Sequence, residues 1–185
     1  GLPAYIRPIN TSEASTIYAQ RDGRPVELAS FYHENRVEVP YEEISPNIID
    51  AVLATEDPRF YEHAGVDMVS LVRATLTNLA TFGEGPGAST ITMQYVKNSL
   101  VEAANQSGDE DAIRAATEVT VERKLREIRL AIALEKEVSK KQILAGYLNL
   151  AFFGNQINGV ETASQYYFGT SAKNLNVPQA AYLAG

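Results

Sequence analysis

Apolar residues along this chain recur at three- and four-residue spacings, the period of helices with one buried face. Ile48, Ile49, Val52 and Leu53 form the first such stripe, after Ser45-Pro46 and ending near Glu56-Asp57. Serine as N-cap followed by proline at the first helical position is a strong helix start. Leu71, Val72, Leu76 and Leu79 predict a second helix from about Asp67 to Phe82, stopped by Gly83. Ser89 or Thr90 caps a third, running through Val96 and Lys97. Val121, Leu125, Ile128 and Ile132 are the expected buried stripe of a long helix over roughly 111–137. Ser139 and Gln142 make a capping box for the next, through Leu148. Val160 to Tyr167 is helical again after the loop Gly154 to Gly159, and Pro178 opens a last helix reaching Gly185.

Strand signals are few. Residues 1–45 contain Pro3, Pro8, Pro25 and Pro40 and read as an irregular linker. Short strands are expected near Ser15–Ala19 and Arg36–Val39, around an Asp22-Gly23 turn. The loop Gly83-Glu84-Gly85-Pro86-Gly87 and the polar run 104–111 interrupt the helical pattern, the second expected to be mobile. The fold class is mainly α, with a short N-terminal irregular or β segment (1–45) before one helical domain (46–185).

The chain has 185 residues, 45% hydrophobic and 21% charged, enough for one domain with a real core. A net charge of −7 argues against nucleic acid as a partner. The average hides a local reversal, since Arg114 to Lys141 holds eight Lys or Arg against five Glu. A solvated, salt-bridged helix face is the plain explanation; handling of an anionic substrate is the functional one. There are no cysteines, so disulfide and thiolate chemistry are excluded. No apolar run reaches the length of a membrane span, and Gly1-Leu2-Pro3 reads as the start of an excised piece.

Three places hold candidate chemistry. Glu56-Asp57 lies at a helix C-terminus, where the backbone dipole disfavours carboxylates, so the pair needs a cation, solvent or a use. A frayed helix end is the ordinary reading, and a general base the functional one. Phe60 and His63 follow, and a histidine there is more often a hydrogen-bonded support than a catalyst. Gly87-Ala88-Ser89-Thr90 runs a glycine loop into a helix N-terminus, a natural anion site to which Lys97 adds a charge. Arg123, Lys124 and Glu127 set a guanidinium and an ammonium beside one carboxylate. The pair at 123 and 127 has the spacing of an ordinary intrahelical ion pair, while Arg and Lys together suit phosphate.

Taken in order, these pieces resemble the five motifs of glycosyltransferase family 51, the peptidoglycan glycosyltransferase domain of class A penicillin-binding proteins. Glu56 to Gly65 matches EDxxFxxHxG, and Gly87 to Asn98 is close to GxSTIxQQxxKN. Arg123 to Glu127 is RKxxE, Lys140 or Lys141 to Asn149 follows KxxILExYLN, and Gly159 to Phe168 matches GxxxAxxxYF. The similarity runs from about residue 12 to the end. Three residues depart from it: Met93 for the first Gln of the second motif, Ala145 for a Glu in the fourth, and Gln179 for a common Glu. Relatives continue beyond Leu183-Ala184-Gly185, so the resemblance implies a domain shortened at its C-terminal side. The run Phe31 to Arg36 has an actinobacterial look and favours a parent that also carries a transpeptidase domain.

The resemblance implies a lysozyme-like helical fold and polymerisation of lipid II into β-1,4-linked glycan, with inversion and release of undecaprenyl pyrophosphate. Glu56 would be the catalytic base, and Glu127 the second catalytic carboxylate, orienting cations, binding metal or stabilising charge at the sugar carbon. Asp57, Phe60, His63, Gly87, Ser89, Thr90, Gln94, Lys97, Asn98, Arg123, Lys124, Tyr147 and Asn149 are the implied substrate-site residues. No cofactor is required; a divalent Mg or Mn ion is an optional helper, with Glu127 as its candidate ligand. Implied partners are lipid II, the growing strand, the membrane and other cell-wall synthesis proteins. The implied location is the extracytoplasmic face of the bacterial plasma membrane, and the family is the target of moenomycin. The helix over 68–82 is expected to pack in the core, with contact to the bilayer as the alternative. Rival functions are a lipid II-binding module without turnover and a lytic transglycosylase.

Overall fold

Helix starts fall where the capping chemistry puts them. A computed structural model describes residues 2–6, 18–21, 24–27, 36–77 and 88–185. Helix α1 (Pro46–Glu56) is capped by Ser45, whose Oγ accepts the Asn47 N–H. Helix α2 spans Met68–Thr77 and α3 spans Ile91–Ser107, with Thr90 rather than Ser89 as its cap. Helices α4 (Glu110–Thr117) and α5 (Val121–Glu137) follow. Helix α6 (Lys140–Leu150) opens with the full Ser139–Gln142 capping box. Helices α7 (Val160–Phe168) and α8 (Val177–Ala184) complete the chain. Gln179, one of the departures, makes a capping box with Asn176, the task a Glu would perform there.

The fold class is mainly α, as the periodicity predicts. Strand β1 (Tyr18–Arg21) pairs antiparallel with β2 (Arg24–Glu27), Tyr18 opposite Glu27 and Arg21 opposite Arg24. The strand expected at Arg36–Val39 is absent; that segment has no regular structure. Side chains hold it instead. Arg36 pairs with Glu38 at 2.9 Å and with Glu102 of α3 at 2.7 Å, while Asn149 accepts the Val39 N–H and donates to its carbonyl. Ser15 to Ile17, Asp22-Gly23, Phe31 to Asn35, Leu79 to Phe82 and the loop Gly83 to Gly87 lie outside the described residues, so the expectations placed on them stay as they were.

Helix α3 is the central element, packed against α4, α5, α6 and the short 3-10 turn Ala4–Ile6, while α1 packs on α8. Ile48, Ile91, Val96, Leu134, Ile143, Leu144 and Leu148 are fully buried. Each such side chain contributes about 1.5–3 kcal/mol relative to exposure. Leu2, Ile6 and Ile44 join the same core, which therefore draws on both sides of residue 46.

Four expectations need correction. The polar run 104–111 is mostly helical, because α3 continues to Ser107, Gly108 turns in the left-handed region and Asp109 caps α4. The long helix over 111–137 is two helices, broken between Thr117 and Val121. Its buried face is also largely the other one, although Ile128 of the expected stripe does pack partly buried against the core. Arg123, Glu127, Ala131 and Leu134 face inward, while Val121, Leu125 and Ile132 are exposed. Arg123 and Glu127 neutralise each other, so that face can be buried despite its charges. On α2, likewise, Met68, Val69, Val72 and Leu76 are exposed, against the core packing expected of that helix.

The loop between α1 and α2 is pressed against α5 at Gly65. Its φ is +97°, and a Cβ there would lie 2.7 Å from the Ala131 carbonyl oxygen. Gly65→Ala should therefore lower stability by roughly 3 kcal/mol, combining a positive-φ penalty with a backbone clash. Urea unfolding of the variant checks it; an unchanged midpoint would remove this contact as a constraint.

Candidate active site

Glu56 is the last residue of α1, with an exposed side chain, and Asp57 caps the helix. Adjacent in sequence, the two carboxylates part company in space. Asp57 turns inward, and its Oδ2 accepts the Ile91 N–H at 3.0 Å and lies 2.7 Å from His63 Nε2. The Gly65 N–H donates to His63 Nδ1 at 3.1 Å, so Nδ1 is an acceptor and the Nε2–H points at Asp57. Phe60, fully buried, meets the imidazole edge to face.

Lys140 closes this loop from below. Its ammonium donates to the carbonyls of Phe60 (2.5 Å) and His63 (2.7 Å) and to Glu135 (2.8 Å), and sits 4.2 Å from the Phe60 ring centre. Glu135 Oε1 also takes the Thr92 hydroxyl at 2.8 Å, so one ion pair ties the loop to α3, α5 and α6. Sequence reasoning named Lys140 only as part of a motif. A signal was present: a lysine in the first turn of a helix opposes the dipole and, like acids at a C-terminus, needs a partner.

Beside Glu56 lies a cleft of about 370 Å³, lined by Ser89, Met93, Gln94, Lys97, Arg123, Lys124 and Glu127. Lys97 is exposed on α3, and the Lys124 ammonium donates to Ser89 Oγ. Arg123 is buried; its Nε donates to the Glu118 carbonyl and its Nη1 to Glu127 Oε1 at 2.6 Å. Gln94 links this cleft to the acid. Its Nε2 donates to Glu56 Oε2 at 3.1 Å and more weakly to the Ser89 carbonyl at 3.4 Å, while its Oε1 accepts the Tyr147 hydroxyl at 3.3 Å. Burial, and then the charge of Glu56, push the Tyr147 phenol up to about 12.

The cleft thus gathers Ser89, Gln94, Lys97, Arg123, Lys124 and Glu127 from the expected set, with Glu56 joined through Gln94. The remaining residues are placed otherwise. Thr90 is buried as the α3 cap, its hydroxyl donating to the Gly65 carbonyl. Asn149 is buried on the Val39 backbone, and Tyr147 is buried with its hydroxyl on Gln94. The side chains of Asp57, Phe60 and His63 are buried, and the half-buried Asn98 is outside the cleft lining. Gly87 lies outside the described residues. Of the departures, Met93 is buried along the cleft wall and Ala145 is buried in the core.

A metal is not well served by this donor set. Among the described residues no three His, Asp or Glu side chains are grouped to hold one. Glu127 is buried and already bonded to Arg123, leaving it a poor ligand.

The fold and site together define a helical domain with a carboxylate at a helix end, next to a lysine-bearing cleft. The chain belongs to the transglycosylase family, whose model matches residues 22–185. It is 39% identical to penicillin-binding protein 2D of Bacillus subtilis over 171 residues, covering 92% of this chain and 23% of that protein. It is 36% identical to penicillin-binding protein 1A of Clostridium tetani over 181 residues, covering 96% and 21%. For penicillin-binding protein 1A of Vibrio cholerae the identity is 35% over 182 residues, covering 98% and 20%. The chain spans about a fifth of the length of these relatives.

The Tyr147 phenol gives a pH prediction. Its folded value of about 12 exceeds the ordinary 10.0, so the stability it contributes is complete below pH 10 and is lost as pH rises toward 12. Tyr147→Phe should flatten the fall of unfolding free energy over that window. An equally steep fall in wild type and variant, by urea unfolding from neutral to alkaline pH, would refute it.

Proposed function

We propose that this domain polymerises lipid II, a disaccharide-pentapeptide on an undecaprenyl pyrophosphate. Glu56 removes the proton from the 4-hydroxyl of the acceptor GlcNAc. The oxygen attacks C1 of MurNAc at the end of the growing strand, the new C1–O4 bond forms as the C1–O bond to pyrophosphate breaks, and the electron pair leaves with the lipid pyrophosphate. An α-linked donor becomes a β-1,4 link. The observation that carries this reading is the joining of an exposed carboxylate to a cationic cleft through one amide, Gln94.

The chemistry suits that inventory. A glycosidase needs a second acid to protonate a poor leaving group. Pyrophosphate leaves as a stable anion, so positive charge takes the place of that acid. Lys97 and Lys124 are the cations offered to it, with Ser89 as a further donor. Arg123 has a different part, holding Glu127 against the cleft wall and tying the end of α4 to α5. Asp57, His63, Phe60, Thr90 and Asn149 build the frame around the site.

Membrane contact belongs to the same proposal. No helix among the described residues is long and apolar enough to cross a membrane. The exposed Met68, Val69, Val72 and Leu76 on α2 are proposed to lie against the bilayer that carries the substrate's lipid tail. The parent protein is proposed to be held at the outer face of the bacterial plasma membrane, to carry a transpeptidase domain, and to work with other cell-wall synthesis proteins.

With peptide-labelled lipid II, wild-type protein should form polymer. Glu56→Gln should lower the rate by at least about 100-fold, as expected for loss of a general base, while lipid II still binds. Lys124→Ala should raise KM for lipid II by about tenfold, the scale of one charge-assisted contact. Polymer from the Glu56→Gln protein removes the base assignment, binding without polymer in wild type favours a module without turnover, and anhydro-sugar products from glycan favour the lytic reaction.

A further inference from the structure

Among the described residues the hydroxyl of Tyr147 has one partner, and that partner is the amide touching Glu56. We propose that Tyr147 is a positioning residue for the base, holding the Gln94 amide so that its N–H faces Glu56. The proposal rests on reading Glu56 as the base.

A glutamine amide offers two donors at one end and an acceptor oxygen at the other. At Gln94 the donor end faces two acceptors, Glu56 Oε2 and the Ser89 carbonyl. Its oxygen receives the Tyr147 hydroxyl, so both ends of the amide are engaged. Turned over, the amide would set its oxygen against a carboxylate and a carbonyl. Because the phenol keeps its proton up to about pH 12, it remains a donor at any working pH.

Packing delivers that hydroxyl. Tyr147 is on α6 beside Gly146, and a Cβ at Gly146 would lie 2.7 Å from the Tyr95 ring. The close approach of α6 to Tyr95 brings the next residue on α6 to the next residue back on α3. Without the hydroxyl, the half-buried amide oxygen loses its partner, and an unmade bond at such a site is costly. The amide then satisfies its oxygen by swinging toward water, which draws its N–H away from Glu56. Tyr147 itself is buried, and no contact with substrate is needed for this effect.

The test compares Tyr147→Phe, Gln94→Ala and the double variant with wild type. The phenyl ring keeps the packing and the freed amide can turn to water, so Tyr147→Phe should lower the neutral-pH melting temperature by no more than about 4 °C. In lipid II polymerisation its kcat should fall about fivefold, the scale of one hydrogen bond, with KM unchanged. The double variant should be no slower than Gln94→Ala alone, because Tyr147 acts only through that amide. Separately, the Gln94 side-chain amide pair in a 15N–1H spectrum should shift on Tyr147→Phe. Additive losses in the double variant, a raised KM or wild-type kcat in Tyr147→Phe would each overturn the proposal. Should wild type form no polymer, the functional reading fails and the spectrum alone decides the positioning: unmoved Gln94 resonances overturn it, and shifted ones support it.

Discussion

One buried oxygen, Oδ2 of Asp57, organises the site. It receives the first N–H of α3 and the Nε2–H of His63, and so fastens the end of α1 to the start of α3. The N-terminal turn of a helix carries partial positive charge and unpaired N–H groups, which makes it a suitable seat for a buried carboxylate. With Asp57 spent in this way, the chain turns and Glu56 is left pointing outward. Asp57 is thus the buried member of the pair and Glu56 the exposed one. His63 in turn orders the loop by accepting the Gly65 N–H, and Gly65 lets that loop lie directly on α5.

The pair Arg123–Glu127 is the second constraint, and it sets which way α5 faces. Charges held 2.6 Å apart and buried together cancel each other's field, and the guanidinium also satisfies the Glu118 carbonyl at the break between α4 and α5. The helix can then present Ala131 and Leu134 to the core on the same face. Its longer apolar stripe, Val121, Leu125 and Ile132, is left outside, as are the apolar residues of α2. A domain with two helices that expose their apolar stripes has unusual surface to cover. The bilayer contact proposed for α2 would cover part of that surface.

Most helix starts were legible because capping is local, although the caps Asp109 and Thr120 were missed. Ser45-Pro46, Thr90, Ser139 with Gln142, and Asn176 with Pro178 each announce a start within a few residues. The pair Glu56-Asp57 was also legible as anomalous, though not which of the two would turn inward. The buried face of α5 was not legible, because hydrophobic periodicity scores charges as outward while an i, i+4 ion pair can be buried whole. Nor could spacing reveal Gln94 with Tyr147, 53 residues apart, or Lys140 with the carbonyls of Phe60 and His63. These contacts exist only once α3, α5 and α6 have packed. The motifs supplied their members without supplying their partners, so the buried bonds of Asp57, His63, Thr90 and Asn149 emerge only in the folded chain.

That division bears on the role proposed for Glu56, a single carboxylate acting as base beside a cationic cleft. A lysine bonded directly to Glu56 would occupy the lone pairs that must take the acceptor's proton, and would favour keeping them so occupied. Among the described residues the hydrogen-bond partner of that carboxylate is a neutral amide, a weaker and more easily released donor. The cations stand elsewhere on the cleft, Lys124 on Ser89 and Lys97 exposed, where a leaving pyrophosphate rather than the base would meet them. Proton removal and leaving-group stabilisation call for opposite charges, and the fold keeps those charges apart while joining them through Gln94.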